Sequence, residues 1–477
     1  MQRSTKIVAT LGPASSEKAV LRAMVAAGVD VVRMNFSHGL AEDHLARADL
    51  VREVSRELGR TVGIMVDLQG PKIRIGKFDG GRITLADGAA FVLDAECGMG
   101  DSGRVGLDYR ELPNDVRAGD ELLLDDGRIT LKVQRVEGAS IHTLVTHGGE
   151  LSNNKGINRR GGGLTAPALT AKDMDDIRVA ARMKADFLAV SFPKSGSDMY
   201  MARELMRAAG GKALLVAKIE RTEAVKALEE ILEASDAIMV ARGDLAVEVG
   251  DAAVPALQKR MIRLARERNK LTITATQMME SMISSSVPTR AEVSDVANAV
   301  LDGTDAVMLS AESASGKFPV EAVEAMHRIC VETDKSMDTE VKLDQDFLNR
   351  VFTRIDQSIA MAALFTAHHL KVKAIVALTQ SGSTALWMSR LNSGVPIYAL
   401  TPETGTYSKL ALFRDTRVFM MPMDAPDRDR LLADSEAFLL AEGVVAKGDL
   451  IVITIGEPIG KAGGTNTLKI VRVGEHS

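Results

Sequence analysis

Short apolar runs alternate with amphipathic helical stretches eight times along this chain, and this alternation constrains its fold more than any other feature. The runs lie near Lys6–Leu11, Val29–Phe36, Val62–Leu68, Phe187–Phe192, Ala213–Ile219, Ala237–Ala241, Leu271–Thr276 and Ala306–Leu309. Segments with helical periodicity follow them, such as Val254–Arg268 and Ala291–Leu301. Parallel strands covered by helices on both faces read as continuous Val, Ile, Leu and Ala runs. Eight such units predict an α/β protein with a (β/α)8 TIM barrel.

One unit of the predicted barrel is interrupted after its third strand. Between about Pro71 and Thr165 the pattern changes to short β-like pieces separated by turn signals such as Asp126-Gly127. These pieces are Arg82–Leu85, Phe91–Leu93, Glu121–Leu124, Arg128–Val136 and Ser140–Val145. We expect a small, β-barrel-like lid domain inserted in a βα loop, with Gly161-Gly162-Gly163 as a hinge at its exit.

A third segment begins near Phe347, with strand patterns at Ala374–Leu378, Ile397–Leu400, Val418–Met421, Leu450–Ile455 and Leu468–Val473. Helical stretches separate several of them, which predicts a C-terminal α/β domain. The predicted domains are therefore a barrel of residues 1–70 and 166–346, an inserted β domain of residues 71–165, and a C-terminal domain of residues 347–477.

Composition excludes several classes of protein. The net charge of −5 over 477 residues, with charges spread along the chain, gives no indication of a nucleic-acid-binding surface. Two distant cysteines, Cys97 and Cys330, indicate free thiols in a reducing compartment. No run approaches the ~18 apolar residues of a membrane span, and the first residues show no signal-like segment. We expect a cytoplasmic protein with no membrane or nucleic-acid partner.

Polar groups follow every predicted barrel strand, at the end where barrel enzymes carry their sites. They are Thr10 and Pro13, Arg33, Asn35, Ser37 and His38, Asp67, Lys72 and Arg74, Ser191, Lys218 and Glu220, Arg242 to Asp244, Thr276, and Ser310 with Glu312. One such group is explained by capping or exposure, but eight strand ends together predict an active site. Side-chain alternation places Lys218 and Glu220 on one face of their strand, and Arg33, Asn35 and Ser37 on one face of theirs.

The types of these residues indicate phosphoryl transfer, in which positioning and electrostatic stabilisation of spread negative charge dominate. Arg33 and Arg74 are predicted to hold phosphate, and Lys218 to stabilise the group in transit. Glu220 and Asp244 are predicted to bind Mg²⁺ or Mn²⁺ through their carboxylates. Residues from Gly243 open a predicted helix whose free N–H groups suit a substrate carboxylate.

The motifs around these residues resemble those of the pyruvate kinase family, in the same order and over nearly the whole chain. The matching segments are Arg33 to Gly39, Asp67 to Arg74, Ala217 to Glu220, Ala241 to Leu245, Thr274 to Met282, and Pro288 to Asn298 continuing to Asp305. The resemblance implies transfer of phosphate from phosphoenolpyruvate to ADP, giving pyruvate and ATP. It also implies a homotetramer with a mobile lid and an effector domain.

The resemblance assigns roles by position. Glu220 and Asp244 match the metal ligands, Lys218 the group that stabilises the phosphoryl and the enolate oxygen, and Thr276 a hydroxyl of the proton relay. Arg33 and Arg74 match phosphate binders, while Pro13, His38 and Lys172 match positions near the nucleotide.

The chain departs from many family members at one position. Those members bind K⁺ through side chains matching Asn35, Ser37 and Asp67, and carry Glu where this chain has Lys72. Our hypothesis is that the Lys72 ammonium replaces K⁺, so that the enzyme works without it; the alternative is a solvated lysine at the hinge.

A turn in the C-terminal domain, Thr379-Gln380-Ser381-Gly382-Ser383-Thr384, is a candidate effector site. Thr379, Ser381, Gly382, Ser383 and Thr384 have the small side chains and N–H groups that cradle phosphate. The resemblance implies a sugar-phosphate or nucleotide activator. Several relatives carry a basic residue where this turn has Ser383, which leaves the effector's identity open, and a plain helix cap is the alternative. Trp387, the single tryptophan, is assigned to packing.

Two other functions are weighed against this one. A lysine at a barrel strand end also suits a Schiff-base aldolase, although that chemistry has no use for Glu220 and Asp244. A non-catalytic metabolite sensor with the same fold is the second alternative, because fold alone does not prove activity.

Overall fold

The computed structural model describes residues 3–337, 351–391, 393–424, 427–460 and 462–475. The chain starts with three βα units, numbered here in chain order. Their elements are β1 (Lys6–Leu11), α1 (Lys18–Ala27), β2 (Val31–Asn35), α2 (Ala41–Leu58) and β3 (Gly63–Asp67). Residues Pro13–Ser15 form a 3-10 turn after β1. Every residue of β1 and β3 is buried, as expected for strands packed on both faces.

An insertion of ten strands follows β3. They are β4 (Lys77–Phe78), β5 (Arg82–Leu85), β6 (Ala90–Asp94), β7 (Met99–Gly100), β8 (Arg104–Val105), β9 (Glu121–Leu124), β10 (Ile129–Glu137), β11 (Ser140–His147), β12 (Gly149–Ser152) and β13 (Ile157–Arg159), with helix α3 (Leu112–Asp115). A six-stranded sheet in the order β13-β9-β10-β11-β6-β8 and two strand pairs, β5 with β12 and β4 with β7, enclose one apolar core.

The five predicted strands of the insertion are all present, whereas β4, β7, β8, β12 and β13 were not predicted. Gly149, in the glycine pair Gly148-Gly149, begins β12. At the exit, Gly161, Gly162 and Gly163 all have positive φ angles of 81°, 79° and 93°. Only glycine adopts three such conformations in a row without strain, which explains the glycine run.

The remaining five βα units complete the barrel. Their elements are α4 (Ala171–Arg182), β14 (Phe187–Val190), α5 (Gly196–Ala208), β15 (Leu214–Ile219), α6 (Thr222–Lys226), α7 (Leu228–Ala234), β16 (Ala237–Ala241), α8 (Arg242–Val249), α9 (Val254–Glu267), β17 (Leu271–Ala275), α10 (Arg290–Leu301), β18 (Ala306–Leu309), α11 (Ala311–Ala314) and α12 (Pro319–Ser336). Two further 3-10 turns are Asp251–Ala253 and Glu280–Ile283. Eight parallel strands close in the order β1-β18-β17-β16-β15-β14-β3-β2. The predicted (β/α)8 barrel is confirmed.

The C-terminal part is an α/β unit with a five-stranded sheet in the order β21-β20-β19-β22-β23, in which only β23 is antiparallel to its neighbour. Its elements are α13 (Ile355–Leu370), β19 (Ala374–Leu378), α14 (Ser383–Ser389), β20 (Ile397–Thr401), α15 (Thr404–Lys409), the 3-10 turn Leu410–Leu412, β21 (Thr416–Met420), α16 (Arg428–Ala441), β22 (Leu450–Gly456) and β23 (Thr465–Arg472). The predicted boundary near residue 347 lies outside the described residues.

The C-terminal unit packs under the amino ends of the barrel strands. Side chains such as Val8 and Phe187 share one buried cluster with Ala363 and Leu412. Two buried ion pairs join the units: Arg390 pairs with Asp305, and Arg414 with Asp334 at 2.9 Å. The insertion, which follows the carboxyl end of β3, lies at the opposite rim of the barrel. In the described part of the chain, no helix has the length and apolar character needed to cross a bilayer.

Candidate active site

Lys218 is the centre of a charged cluster at the carboxyl ends of the barrel strands. Its Nζ lies 2.9 Å from Oε1 of Glu220, which directly follows the same strand, 3.3 Å from Asp67 Oδ1 at the end of β3, and 2.7 Å from Ser191 Oγ. Glu220 directly follows the last residue of β15, and its 2.9 Å contact with Lys218 shows that the two side chains face the same way, as predicted. Burial by itself lowers the pKa of the Lys218 ammonium, but Asp67 and Glu220 outweigh it and raise that pKa above its ordinary value.

Asp67 links Lys218 to Arg33 on the neighbouring strand β2. Arg33 Nε donates to Asp67 Oδ2 at 2.6 Å, and its Nη1 donates to Thr10 Oγ1 at 3.0 Å. Burial pushes the pKa of the Asp67 carboxyl upward, but Lys218 and Arg33 more than offset it, so the pKa is lower than usual. A buried, ionised aspartate thus fixes two cations side by side, which is the arrangement that a phosphate group requires.

Glu220 directly follows β15, and Asp244 is the third residue of α8, which follows the adjacent strand β16. The two carboxylates fit a divalent metal ion. One Glu220 oxygen accepts from the Phe192 backbone N–H at 2.9 Å, which orients the carboxylate. Burial raises the pKa of Glu220, Lys218 opposes this rise, and the nearby Asp244 carboxylate adds to it. A divalent cation held by both carboxylates would relieve their repulsion. Within the described residues no group of three or more His, Cys, Asp or Glu forms a metal site, so water and substrate would complete the ligand set.

Thr276 and Gly243 connect the ends of β17 and β16. Gly243 N–H donates to Thr276 Oγ1 at 2.8 Å, and the Thr276 hydroxyl in turn donates to the Ala275 carbonyl at 2.7 Å. The predicted helix at Gly243 is confirmed as α8, but this N–H is already bonded to Thr276. This bond accounts for the Gly243 N–H alone, and binding of a substrate carboxylate by the N–H groups that open α8 stays a prediction.

Thr276 and Gln277 both have positive φ angles, 66° and 54°, which is uncommon for residues other than glycine. Arg242 supports this turn, since its guanidinium donates to the Thr276 and Gln277 carbonyls and pairs with Asp295 at 2.7 Å. Sequence reasoning noted Arg242 beside Asp244 but gave it no role and did not identify Asp295. The Arg242 side chain is buried, held by these carbonyls and by Asp295.

Residues predicted near the nucleotide lie on the β1, β2 and α4 side of the rim. Lys172 Nζ on α4 donates to the Phe36 carbonyl at 2.8 Å, which ties α4 to the loop that carries His38. The His44 ring stacks on Phe36 with centroids 4.2 Å apart, and its Nε2 donates to the His38 carbonyl at 2.8 Å. His44 was not singled out from the sequence. Pro13 is exposed in the 3-10 turn after β1.

The structure brings together only some of the residues predicted to bind K⁺ or to replace it, which are Asn35, Ser37, Asp67 and Lys72. Asn35 ends β2, and its Oδ1 accepts from Ser37 N–H at 3.1 Å, so Ser37 lies in a turn and the expected alternation through Ser37 is wrong. Asp67 pairs with Arg33 and Lys218. Lys72 Nζ lies 3.6 Å from Asp244 Oδ1, across the rim at the entrance to the insertion.

Arg74 lies within the insertion in this structure. Its Nη1 donates to the Asn154 carbonyl at 3.2 Å, and its backbone N–H donates to Asp108 at 2.7 Å. Arg74 is therefore held on the inserted domain, whereas Arg33 is held on the barrel.

The candidate effector turn joins β19 to α14. Gly382 has a φ of 83°, and its N–H donates to Thr379 Oγ1 at 2.9 Å. Thr384 is buried and bonds to Thr465 at 2.7 Å, whereas Ser381 is exposed and its hydroxyl donates to Ser383 at 3.2 Å.

Comparison with known proteins identifies the family. The family model described as "Pyruvate kinase, barrel domain" matches residues 2–323, and "Pyruvate kinase, alpha/beta domain" matches residues 357–471. "Pyruvate kinase II" of Salmonella typhimurium is 51% identical over 479 residues, covering 99% of each chain. "Pyruvate kinase" of Haemophilus influenzae is 51% identical, covering 95% of this chain and 96% of its own.

A solved structure agrees with these sequence matches. The crystal structure of a pyruvate kinase from Cryptosporidium parvum superposes with a TM-score of 0.92 at 32% identity, covering 99% of this chain and 96% of that chain. The fold and the sequence agree over the whole chain. This chain belongs to the pyruvate kinase family.

Proposed function

We propose that this enzyme is a Mg²⁺-dependent pyruvate kinase whose transferred phosphoryl group is stabilised by Lys218. The observation that carries the proposal is the cluster in which Lys218 contacts Asp67, Glu220 and Ser191 within 3.3 Å at the barrel rim. Arg33 and Lys218 hold the phosphate of phosphoenolpyruvate, and Arg74 approaches it from the insertion. ADP lies on the Pro13, His38 and Lys172 side.

In the proposed reaction, the phosphoryl group passes from the enol oxygen to ADP while its charge faces Arg33 and the Lys218 ammonium. Glu220 and Asp244 would hold Mg²⁺, or Mn²⁺, which would supply Lewis-acid charge for the substrate oxygens. Lys218 also stabilises the enolate oxygen that remains. The Thr276 hydroxyl lies beside this centre and takes part in delivering a proton to the enolate carbon, which completes pyruvate.

The charge state of Lys218 supports this function over a Schiff-base aldolase. An amine that attacks a carbonyl must be neutral, and such lysines have lowered pKa values. The pKa of Lys218 is raised instead, because Asp67 and Glu220 outweigh the effect of burial. Borohydride trapping with pyruvate is expected to leave Lys218 unlabelled.

Replacement of Lys218 by Met tests the proposal. Turnover in a lactate-dehydrogenase-coupled assay is expected to fall at least about 10²-fold, which corresponds to ~3 kcal/mol of transition-state stabilisation. Lys226→Met, at the end of α6, serves as the matched control and should retain activity. Near-normal turnover in Lys218→Met would refute the role of Lys218, and absence of wild-type turnover would favour a non-catalytic sensor.

We further propose that Lys72 makes the enzyme independent of K⁺. Its ammonium lies 3.6 Å from Asp244 and thus brings a tethered monovalent charge to the metal-binding carboxylates. In tetramethylammonium buffer, wild-type activity should rise less than about twofold on addition of KCl. Lys72→Glu should lose activity and recover part of it with KCl. A large activation of the wild type by KCl would contradict the proposal.

Regulation by a phosphorylated effector is proposed at the turn of residues 379–384. Ser381 and Ser383 are accessible there, and Gly382 opens α14 with a left-handed conformation. Sugar phosphates and AMP should lower the half-saturating phosphoenolpyruvate concentration in the wild type, and Gly382→Val should abolish this response. An unchanged response in that variant would place the effector elsewhere.

We also propose assembly as a homotetramer. Helix α13 exposes Phe365 and Leu370, which are 49% and 46% accessible, and strand β23 is a sheet edge with Ile470 45% accessible. Apolar edge surfaces of this kind favour association. Sedimentation velocity should report four chains; a stable monomer at micromolar concentration would contradict the proposal.

A further inference from the structure

A cavity of about 610 Å³ lies between the barrel and the C-terminal unit, away from the site described above. Helix α9, helix α13 and the end of helix α14 supply its walls. Arg390 in its wall bonds to the Lys270 carbonyl and to Asp305, which directly precede β17 and β18. The cavity is thus at the amino ends of the strands, whereas Lys218 is at the carboxyl ends. Its volume is within the range of small-molecule sites.

Arg266 supplies this cavity with an unneutralised positive charge. Its Nη2 donates to the Arg390 carbonyl at 2.8 Å, and across the described ranges no carboxylate oxygen lies within 4.0 Å of its guanidinium. The acids near it face other cations, since Asp302 pairs with Lys259 and Asp305 pairs with Arg390. Glu267, which also lines the cavity, lies 3.9 Å from Arg263. Burial, together with the positive charges of Arg390 and Arg414, lowers the pKa of Arg266 to about 10. A bound anion would supply the missing counter-charge.

The rest of the wall offers an apolar surface beside this charge. Trp387, Met361, Leu391 and Phe352 line the cavity, and the Trp387 indole N–H donates to Asp356 at 3.4 Å. Gly303 allows the arginine its position, because a Cβ at Gly303 would overlap Arg266 Nη1. A cavity lined by a guanidinium, an indole and a thioether suits a ligand with an anionic head and a flat apolar body.

We propose that this interdomain cavity is a second ligand site, which binds a small aromatic anion through Arg266 and Trp387. The anionic head, a carboxylate or a phosphate, pairs with the Arg266 guanidinium. The aromatic body packs against Trp387 and Met361. Trp387, assigned to packing from the sequence, then also contributes to ligand binding.

The single tryptophan of the chain makes the test direct, since all indole fluorescence comes from Trp387. The full-length protein is titrated with phenyl phosphate, benzoate, inorganic phosphate and the neutral analogue benzyl alcohol. We expect a saturable fluorescence change with phenyl phosphate or benzoate, at least about tenfold tighter than with benzyl alcohol. Equal responses to the charged and neutral probes in the wild type would overturn the proposal without any variant.

Variants identify the binding group. Arg266→Met should weaken the aromatic anions at least about tenfold, Arg266→Lys should weaken them less, and Arg260→Met should bind like the wild type. Arg260 is the matched control because it is exposed on the same helix and does not line the cavity. Arg266→Lys retains a cation if Arg266→Met does not fold. Unchanged affinity in a folded Arg266→Met protein would refute the site.

A further control separates this cavity from the effector turn, which lies close to Trp387 in sequence. Ser383→Asp places a negative charge at that turn and should repel phosphate there. The fluorescence response to phenyl phosphate should persist in Ser383→Asp and be lost in Arg266→Met. The reverse pattern would assign the response to the effector turn and overturn the proposal.

Discussion

Gly243 N–H donates to the Thr276 hydroxyl across 2.8 Å, and this bond joins the ends of two neighbouring barrel strands. It fixes the position of the hydroxyl, because Thr276 also donates to the Ala275 carbonyl and has a left-handed backbone held by Arg242. The hydroxyl that we assign to proton delivery is therefore placed by contacts formed before any substrate binds. Such preorganisation is what general acid–base steps require.

Thr276→Val should distinguish the two steps of the proposed reaction, which are phosphoryl transfer to ADP and proton delivery to the enolate carbon. We expect turnover to fall about 10²-fold, the usual range for loss of a proton-transfer group. Exchange of pyruvate methyl protons with D₂O, followed by NMR, should fall by a similar factor, while single-turnover phosphoryl transfer to ADP falls less. Thr276→Ser, which keeps the hydroxyl, is the control. Equal losses of proton exchange and phosphoryl transfer would argue against a proton-transfer role.

Asp67→Asn should destabilise the protein as well as inactivate it. Asp67 is buried between Arg33 and Lys218, so its neutralisation leaves two adjacent cations without a partner. Breaking such a buried pair costs about 3–5 kcal/mol. We expect a clear drop in the apparent melting temperature in scanning calorimetry. The control is Asp49→Asn, at an exposed ion pair, which should stay within about 0.5 kcal/mol of the wild type.

Glu248 should make stability depend on pH near neutrality. Burial raises the pKa of its carboxyl from 4.5 to about 7, although the Thr222 backbone N–H opposes that rise. The folded protein therefore keeps a proton that the unfolded chain loses above pH 4.5, and stability falls as the pH rises from 4.5 to about 7. The penalty at pH 8 is at most about 3 kcal/mol.

Glu248→Gln should remove this penalty. The variant should melt at a higher temperature than the wild type at pH 8 and at nearly the same temperature at pH 5, as measured by differential scanning fluorimetry. Glu204→Gln, at an exposed pair with Arg207, should show no such difference. A variant that is less stable than the wild type at pH 8 would contradict the predicted sign.

His44→Leu should weaken nucleotide binding selectively. The His44 ring stacks on Phe36 and its Nε2 donates to the His38 carbonyl, so it holds the loop that we assign to ADP. We expect KM for ADP to rise about tenfold, the effect of losing roughly 1.4 kcal/mol, with KM for phosphoenolpyruvate unchanged. His44→Gln, which keeps a donor, should be milder. A rise in both KM values would indicate general loss of structure.

Local sequence patterns determined much of the fold and of the site. The bounds of all eight barrel strands agree with the apolar runs to within two residues, because strands buried on both faces leave a continuous apolar signal. The shared face of Lys218 and Glu220 follows from the two-residue period of a strand, so their 2.9 Å contact was predictable. The short strands β4, β7, β8, β12 and β13 were missed because their signal is no stronger than that of a loop.

Relationships between distant segments were decided only by the tertiary structure. The placement of the Arg242 side chain depends on its contacts with the Thr276 carbonyl, and its partner Asp295 is 53 residues away. The turn at Ser37 depends on β2 ending at Asn35, and the Lys72–Asp244 contact depends on how the insertion meets the barrel. Arg266 is left without a carboxylate among the described residues because its neighbouring acids face other cations. Periodicity reports which face a residue occupies, whereas packing of separate elements decides which partners it finds.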